Sequence, residues 1–560
     1  MTTRREFLQI AAAAAAIVPG GWSRAFAQQQ LRQADLLSFE SLGNVTLVHI
    51  ADLHAQLVPV YFREASVNIG AGEARGQVPH LTGTALLERY RIAKASPAAY
   101  ALSPDDFVAL ARAYGRMGGL DRIATVLDAI RVERDGKVVF LDGGDTWQNS
   151  YTALTTKGQD MVDCMAMLRP DAMVGHWEFT LGAERVKEMV SSLGFPFLAL
   201  NVRDTEWNDP VFPASTMLER GGIKIAVLGQ AYPYTPIANP RWMIPNWSFG
   251  IREGEVRAEV EKARAAGAEL VVLLSHNGFD VDRKLASRVA GIDVVLTAHT
   301  HDALPAPVKV GRTLLVSSGS HGKFVSRLDL DVRGGEVKDY RYKLIPIFAD
   351  AIAPDPAMAA KIAVVRAPHH THLDEVIGHA GTLLYRRGNF NGTLDDVICD
   401  ALIAERDAEI ALSPGVRWGA SLLPGQAITR EDIYNATAIT YPAAYRTTMS
   451  GAQLKEILED IADNLFNPDP YYQQGGDMVR VGGIAYTIDV MQAMGRRISQ
   501  LRLSRTGAAI DPGRDYVVAG WASVNEDTQG PPIWDIVANH IAARGEVVPT
   551  TSGQVRVVGG

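Results

Sequence analysis

The sequence has few cysteines and no excess of basic residues. Two cysteines among 560 residues, Cys164 and Cys399, exclude a disulfide framework and a cysteine-based metal site. Lys and Arg total 55 against 63 Asp and Glu, and the resulting net charge of −8 gives no general electrostatic reason to bind nucleic acid. A charged fraction of 21% and a mean hydropathy near zero exclude a disordered chain and a multi-span membrane protein. These figures predict a soluble chain of more than one domain, because single cores stop growing at roughly 250–300 residues.

The N-terminus has the pattern of an export signal. Arg4 and Arg5 precede a short alanine-rich apolar run, and Ala25-Phe26-Ala27 is typical of a small-residue cleavage site. The run is too short to span a bilayer as a helix. The paired arginines resemble the twin-arginine export motif, so we predict that residues 1–27 are removed. We therefore expect a periplasmic protein without stable membrane insertion.

The rest of the chain divides into two parts with different patterns. Between about residues 44 and 330, short β-branched runs alternate with helical patterns, which predicts a layered α/β domain with helices packed on β-sheet. We predict this domain over residues 28–345. A linker over 346–374 carries a predicted helix at 357–366, and a smaller α/β domain follows over 375–560. The predicted strands of the first domain are 45–50, 138–141, 223–228, 270–274 and 292–296, and its predicted helices are 119–134, 158–168 and 253–266.

Side chains that bind metals follow the predicted strands of the first domain. In open α/β sheets, ligands gather beyond the carboxyl ends of the strands, so these side chains could converge in one crevice. Two aspartates and five histidines suit Mn, Fe or Zn better than Ca or Mg. Seven ligands exceed the needs of one tetrahedral ion, which predicts two ions with Asp145 shared between them. The candidate ligands are Asp52, His54, Asp145, His176, His276, His299 and His301.

These motifs together resemble the calcineurin-like metallophosphoesterases. The two-domain layout resembles their 5′-nucleotidase branch, in which the C-terminal domain carries substrate contacts. The resemblance implies one ion held by Asp52, His54, Asp145 and His301. It implies a second ion held by Asp145, His176, His276 and His299.

One motif departs from the phosphatase pattern. The phosphatases have Gly-Asn-His-Glu-Phe-Asp where this sequence has Gly175-His176-Trp177-Glu178-Phe179-Thr180. His176 preserves metal binding, but Trp177 replaces the catalytic histidine and Thr180 replaces the aspartate that orients it. A general acid is worth about 10²–10⁴-fold in rate, so its loss disfavours phosphomonoester hydrolysis.

The altered motif is similar to that of the SoxB family of thiosulfohydrolases. Further similar stretches are 59–64, 229–237, 385–392 and 476–480, and the resemblance covers essentially the whole mature chain. It implies hydrolysis of the terminal sulfonate of a cysteine S-thiosulfonate on the SoxYZ carrier protein. A hydroxide bridging two Mn²⁺ ions would attack, and sulfate would be released. The leaving persulfide is much less basic than an alkoxide, so it should need no proton from a histidine.

Two other functions remain open from the sequence. The first is a periplasmic 5′-nucleotidase or other phosphoesterase, and the second is a non-catalytic protein that retains metals for structure. The residues themselves leave Zn or Fe open beside Mn. We expect a monomer with no nucleic-acid partner.

The remaining predicted site residues would contact the substrate. We expect Trp177 to form an apolar wall for the sulfur chain. Arg417 resembles the substrate-binding arginine of nucleotidases, and Arg386 and Arg387 could pair with a sulfonate because guanidinium binds oxyanions well. Tyr441 could line a channel for the carrier's arm. The 93 positions between Asp52 and Asp145 contain a predicted insertion, roughly residues 63–118, whose expected role is to bind or admit that arm.

Overall fold

The computed structural model describes residues 31–549 and 554–559. The predicted export signal, residues 1–27, lies outside the described residues. The described part of the chain contains no helix that is both long and apolar enough to span a membrane. The strands up to the linker are β1 (Val45–Ile50), β2 (Val138–Asp142), β3 (Ala172–Met173), β4 (Arg203–Asp204), β5 (Ser215–Arg220), β6 (Ile223–Gln230), β7 (Trp247–Ser248), β8 (Leu270–Ser275), β9 (Val294–Thr297), β10 (Val308–Val310), β11 (Thr313–Ser317), β12 (Phe324–Arg333) and β13 (Glu336–Pro346).

Two sheets face each other in the N-terminal half. One has the strand order β13-β12-β1-β2-β3, and the other has the order β10-β11-β9-β8-β6-β5. The aliphatic side chains of both sheets meet in one buried cluster, to which Val45, Leu47 and Val139 contribute from the first sheet and Val227 and Val272 from the second. Strands β1, β2 and β3 run parallel, as do β6, β8, β9 and β11. Their carboxyl ends therefore lie at one edge, where the candidate ligands follow.

Helices cover the outer faces of both sheets. Because side chains alternate along a strand, Val48 and Ile50 of β1 point away from the other sheet and pack with Ile123 and Leu127 of a helix. The result is a four-layer α/β/β/α arrangement. The helices of this half are Gln33–Leu37, Gly83–Tyr90, Pro97–Leu102, Phe107–Tyr114, Leu120–Glu133, Tyr151–Thr156, Gln159–Leu168, Ala183–Ser192, Thr235–Ala238, Glu253–Ala265 and Phe279–Arg288.

A helical linker leads to the C-terminal half. The helix Pro356–Arg366 begins where Asp355 accepts a 2.7 Å hydrogen bond from the backbone N–H of Met358, with proline at the first helical position. A short helix, His370–Leu373, follows it. The linker helix thus starts one residue before the predicted 357–366 segment.

In its described residues, the C-terminal half has three small sheets and four α-helices. Its sheets have the orders β16-β14-β22, β17-β21-β15-β18 and β20-β19-β23. Its helices are Thr393–Arg406, Arg430–Thr437, Gly451–Phe466 and Ile533–Arg544. Its strands are β14 (Val376–Ala380), β15 (Ile410–Ser413), β16 (Ala427–Thr429), β17 (Ala444–Ser450), β18 (Arg480–Gly482), β19 (Ile484–Asp489), β20 (Ile498–Leu503), β21 (Asp515–Trp521), β22 (Glu546–Val547) and β23 (Gln554–Val558). The predicted fold class, an α/β domain joined by a linker helix to a second α/β domain, is confirmed.

The insertion at 63–118 is structured. It contains three helices, from which Leu86, Phe107 and Leu110 are buried in the core of the first domain. The buried ammonium group of Lys323 holds the start of the segment through the carbonyl of Phe62 and the carboxylate of Glu64. The segment is therefore part of the folded domain.

Candidate metal centre and active site

All seven candidate ligands lie on loops that follow strands. Asp52 and His54 follow β1, Asp145 follows β2, and His176 follows β3. The loops after β8 and β9 supply the other three, and all seven side chains are buried. Their ligand atoms form two groups within which these atoms lie no more than 4.8 Å apart, and Asp145 belongs to both. One group is Asp52, His54, Asp145 and His301; the other is Asp145, His176, His276 and His299.

Tight loops aim these side chains inward. Asp52, His54 and Asp145 have positive φ angles of 53°, 49° and 57°, which are uncommon for residues other than glycine. His299 and His301 share this conformation, with φ angles of 74° and 58°. The loops also bind one another, because the N–H of His54 donates to the carbonyl of Asp145 at 2.8 Å. Such unusual backbone geometry concentrated at one edge indicates a functional site.

The donor atoms suit divalent cations. Nε2 of His54 lies 2.9 Å from Nε2 of His301, and Oδ2 of Asp145 lies 3.1 Å from Nε2 of His276 and 3.3 Å from Nδ1 of His176. Burial lowers the pKa of His54 to about 4 and, with the positive charge of neighbouring groups, holds the pKa of His301 well below its usual range. Neutral imidazoles have a free lone pair, and two that face each other this closely fit a shared cation. The donor set therefore fits a centre of two metal ions.

Outer hydrogen bonds orient three of the imidazoles. Nδ1 of His54 lies 2.9 Å from Oδ1 of Asn149, and Nδ1 of His276 lies 2.5 Å from the carbonyl oxygen of Gly143. Nε2 of His176 lies 3.3 Å from Oδ1 of Asn239. These acceptors fix which ring nitrogen carries the proton and leave the other for a metal. Sequence spacing did not identify Asn149 or Asn239, since neither belongs to a recognisable metal motif.

The altered motif forms a rigid turn beside Asp145. The buried carboxylate of Glu178 accepts hydrogen bonds from the backbone N–H groups of His176 at 2.8 Å and Thr146 at 2.6 Å. The hydroxyl of Thr180 donates to the carbonyl of Trp177 at 2.8 Å. Thr180 thus closes the turn and orients no catalytic imidazole.

A cavity of about 390 Å³, which we call the substrate cavity, opens over the candidate metal groups. Aromatic rings form one wall: the Trp177 indole packs edge-on against Trp418 with centroids 4.8 Å apart and lies nearly parallel to Tyr441 at 6.2 Å. Tyr232 packs between His176 at 4.0 Å and His299 at 4.4 Å. The site therefore has a polar metal-binding floor and an aromatic side wall.

Every histidine that lines the substrate cavity within the described part of the chain belongs to a candidate metal group. These are His54, His176, His299 and His301. No imidazole lining this part of the cavity is left over to act as a general acid.

The predicted substrate-binding residues separate into two sets. Arg417 and Tyr441 line the substrate cavity, and the Arg417 guanidinium is held by the carbonyls of His299 at 3.1 Å and Gly476. Arg386 is buried elsewhere, 2.7 Å from the Asp395 carboxylate and 2.6 Å from the carbonyl of Ala436.

Arg387 is also directed away from the substrate cavity. Its guanidinium donates to the carbonyl of Thr300 at 3.0 Å and lies 3.6 Å from Asp302. The structure therefore brings Arg417 and Tyr441 to the site, whereas Arg386 and Arg387 bind other parts of the chain.

Trp418 and Tyr232 are site residues that sequence reasoning did not identify. Trp418 directly follows Arg417, and Tyr232 lies within the similar stretch 229–237, so both were close to recognised motifs. Neither has a spacing that reveals its role, because Trp418 reaches the site by packing on Trp177 of the other half and Tyr232 by packing on His176 and His299, which are distant from it in the chain. Cys164 and Cys399 are buried and free.

Known proteins are similar to this chain in sequence and fold. The family model for the 5′-nucleotidase C-terminal domain matches residues 376–532. The solved structure of the sulfate thiohydrolase SoxB from Thermus thermophilus is 37% identical, with a TM-score of 0.89 over 93% of this chain and 98% of that one. A 5′-nucleotidase precursor from the same organism is 22% identical, with a TM-score of 0.72 over 92% of this chain and 99% of that one, and shows the same fold. The rat 5′-nucleotidase is 24% identical over 436 residues, which are 69% of this chain and 72% of the relative.

Proposed function

Because the chain belongs to the SoxB family of the 5′-nucleotidase and calcineurin-like metallophosphoesterase superfamily, a group of hydrolases, we propose that it is a thiosulfohydrolase. Its substrate would be a cysteine-linked thiosulfonate on a carrier protein of the SoxYZ type, and its product would be sulfate. We further propose that the two ions are Mn²⁺ and that the reaction takes place in the periplasm.

The observation that carries this proposal is the replacement of a catalytic histidine by Trp177. An alkoxide leaving group needs a proton donor, and the histidines that line the described cavity are all candidate metal ligands. A persulfide anion is a much weaker base and can leave without a proton. The site is therefore better suited to cleaving a sulfur–sulfur bond than a phosphomonoester.

The side chains of the cavity would each have a different role in the reaction. When bound, two divalent ions lower the pKa of water toward roughly 7 and offset the charge of the oxyanion. Arg417, fixed by backbone carbonyls, would pair with a sulfonate oxygen. Trp177, Trp418 and Tyr441 would pack along the sulfur chain and exclude water from the departing persulfide. Asp145, which belongs to both ligand groups, would bind both ions.

A nucleotide phosphoesterase is the second candidate function. Its support is the curated 5′-nucleotidase relatives and the matching C-terminal family model. The indole at position 177 counts against it, since the family motif there supplies a catalytic histidine.

One assay separates the two functions. Purified Mn-loaded protein is incubated with AMP and, separately, with a carrier bearing a cysteine-linked thiosulfonate. We expect sulfate release and little phosphate release. Phosphate without sulfate would overturn the proposal, and neither product would favour a non-catalytic metal-binding protein. Metal analysis of protein purified from its own host tests the choice of manganese.

A further inference from the structure

A second, smaller cavity of about 60 Å³ adjoins the substrate cavity. We call it the side chamber. The two cavities share His299, Arg417 and Gly475 as common walls. Further walls of the side chamber come from the insertion, through Asn68 and Ile69, from the loop after β8 and the helix that follows it, and from the C-terminal half, through residues such as Asn389 and Phe466. Among the described residues that line the substrate cavity, none belongs to the 63–118 insertion.

Six buried polar atoms on side-chamber residues lack hydrogen-bond partners within the described ranges of the chain, among them Oδ1 of Asn277, Oδ1 of Asp280 and Nε2 of His299. These three residues are 2%, 9% and 7% exposed. Buried polar groups are nearly always satisfied by protein or by ordered water, so this concentration of unpaired groups points to ordered water, which both donates and accepts hydrogen bonds.

Each of these side chains is held firmly by its other polar atoms. Nδ2 of Asn277 donates to Asp282 at 2.8 Å, and Oδ2 of Asp280 lies 2.7 Å from Nε2 of His80. The ring of His299 is stacked on Tyr232, and a Cβ at Gly475 would overlap its Nε2. The unpaired polar atoms are therefore fixed in place around the chamber. The volume of about 60 Å³ is several times the roughly 10–15 Å³ that a cavity needs to hold one water molecule.

We propose that the side chamber binds ordered water and supplies the water consumed in hydrolysis while the carrier's arm fills the substrate cavity. This inference rests on the proposed function. Hydrolysis of R–S–S–SO₃⁻ with one water gives R–S–S⁻, SO₄²⁻ and two protons. The S–S bond breaks with its electron pair on the persulfide, and a new S–O bond forms. Each turnover therefore consumes one water molecule at the active site. During turnover the carrier's arm occupies the wide opening of the substrate cavity.

The position of the chamber fits this role. It reaches the candidate metal centre at His299 without passing the aromatic wall. The insertion closes it, since Asn68 donates to Asp302 at 3.2 Å and the N–H of Ile69 donates to Asn389 of the C-terminal domain at 2.6 Å. The insertion thus forms one side of the side chamber.

A crystal structure of the Mn-loaded wild-type protein tests the first half of the inference. We expect several ordered waters in the side chamber, hydrogen-bonded to Asn277, Asp280 and His299. A dry chamber, or one filled by a rearranged side chain, would overturn the inference whatever the enzyme's substrate is.

Kinetics of a chamber-filling variant test the second half. Ile69→Phe adds volume to the chamber wall, and Ile69→Leu is the matched control of equal volume. With Ile69→Phe we expect carrier turnover to fall about tenfold, while a small analogue with the same S–S–SO₃⁻ group, which leaves the cavity open, changes by about twofold or less. Equal losses on both substrates, or no loss with the chamber demonstrably filled, would refute the water-supply role.

A second variant and a wild-type control keep the result interpretable. Val281→Leu fills the same chamber from the helix Phe279–Arg288 and replaces Ile69→Phe if that protein fails to fold. If wild-type protein releases no sulfate from the carrier, the proposed function fails, and the crystallographic waters alone decide whether the chamber binds water.

Discussion

The backbone N–H of Trp177 donates a 2.8 Å hydrogen bond to Oδ1 of Asp145, the carboxylate that both candidate metal groups share. This bond uses the main chain, so it does not depend on the side chain at position 177. The indole itself lines the substrate cavity. Position 177 therefore combines a backbone that holds the metal centre with a side chain available to contact the substrate.

Substitution of Trp177 should separate these two contributions. Trp177→Ala keeps the backbone bond and removes the aromatic wall, so we expect unchanged metal content. Loss of the apolar contact, worth about 1.5–3 kcal/mol, should lower kcat/KM for thiosulfonate hydrolysis about ten- to a hundredfold. Trp177→Phe, the control, should retain most of the activity.

The Trp177→His variant tests the chemistry of the wall. A polar ring against the sulfur chain should slow sulfate release. Undiminished sulfate release by this variant, measured with the charged carrier, would contradict any specific role for the indole.

Substitution of single metal ligands should show that the Asp145 carboxylate is shared by the two metal groups. Because Asp145 belongs to both groups, Asp145→Ala should leave fewer than about one tightly bound ion per chain, whereas His176→Ala should leave about one. Metal analysis after dialysis measures this directly. Equal metal contents in the two variants would show that Asp145 is not shared.

Chelation should also destabilise the protein. A ligand present at about 100 times its Kd stabilises the folded state by about 2.7 kcal/mol, so EDTA should lower the Tm of the wild-type protein. The same treatment should have a much smaller effect on Asp145→Ala, which serves as the control. Identical decreases in the Tm of the wild-type protein and of Asp145→Ala would mean that EDTA acts outside this metal centre.

Loss of Arg386 should mainly reduce the stability of the protein, whereas loss of Arg417 should mainly weaken substrate binding. Arg386→Met leaves the fully buried Asp395 carboxylate without its closest charged partner, a change that costs about 3 kcal/mol of folding free energy. Arg417→Met should instead raise KM for the charged carrier with a smaller change in Tm, since Arg417 lines the substrate cavity. Thermal unfolding and steady-state kinetics of both variants check this. A raised KM with unaltered Tm for Arg386→Met would place Arg386 at the substrate.

The sequence predicted the fold best at strands that are directly followed by a metal-binding motif. The run 45–50 is predicted as a strand and forms β1, because its β-branched and aliphatic residues, interrupted only by His49, suit a strand buried on both faces. The hairpin of β12 and β13 was not predicted, since charged residues such as Arg327 and Asp329 interrupt its apolar pattern. These two residues lie two positions apart on β12 and form an ion pair at 3.1 Å, which is buried because β12 pairs with β1 on one side and β13 on the other.

The residues of the candidate site were likewise predictable only in part. All seven predicted ligands meet in two groups because each follows a strand of a sheet whose parallel strands end at one edge. The arginines were harder to place. Arg386 and Arg387 have the right chemistry for a sulfonate, but the carboxylate of Asp395, nine residues after Arg386, and the carbonyl of Thr300, 87 residues before Arg387, determine where their guanidinium groups lie.

Acid stability should depend on His540. Burial, together with the Arg544 guanidinium, lowers the pKa of His540 to about 4 in the helix Ile533–Arg544. The unfolded chain then binds this proton more readily than the folded chain, so folding free energy is lost as pH falls from about 6.5 toward 4. We expect a loss of about 1–2 kcal/mol between pH 7 and pH 5 from this residue. His540→Gln should therefore reduce the fall in Tm between these two pH values, as measured by calorimetry.

The exposed His370, on the linker, provides the control for that experiment. It is 55% exposed, and His370→Gln should leave the pH dependence of the Tm close to that of the wild-type protein. Because both substitutions remove one imidazole, a difference between them isolates the cost of protonating a buried ring. If the two variants follow the same Tm profile, protonation of His540 does not limit stability, and the acid sensitivity must come from other buried groups.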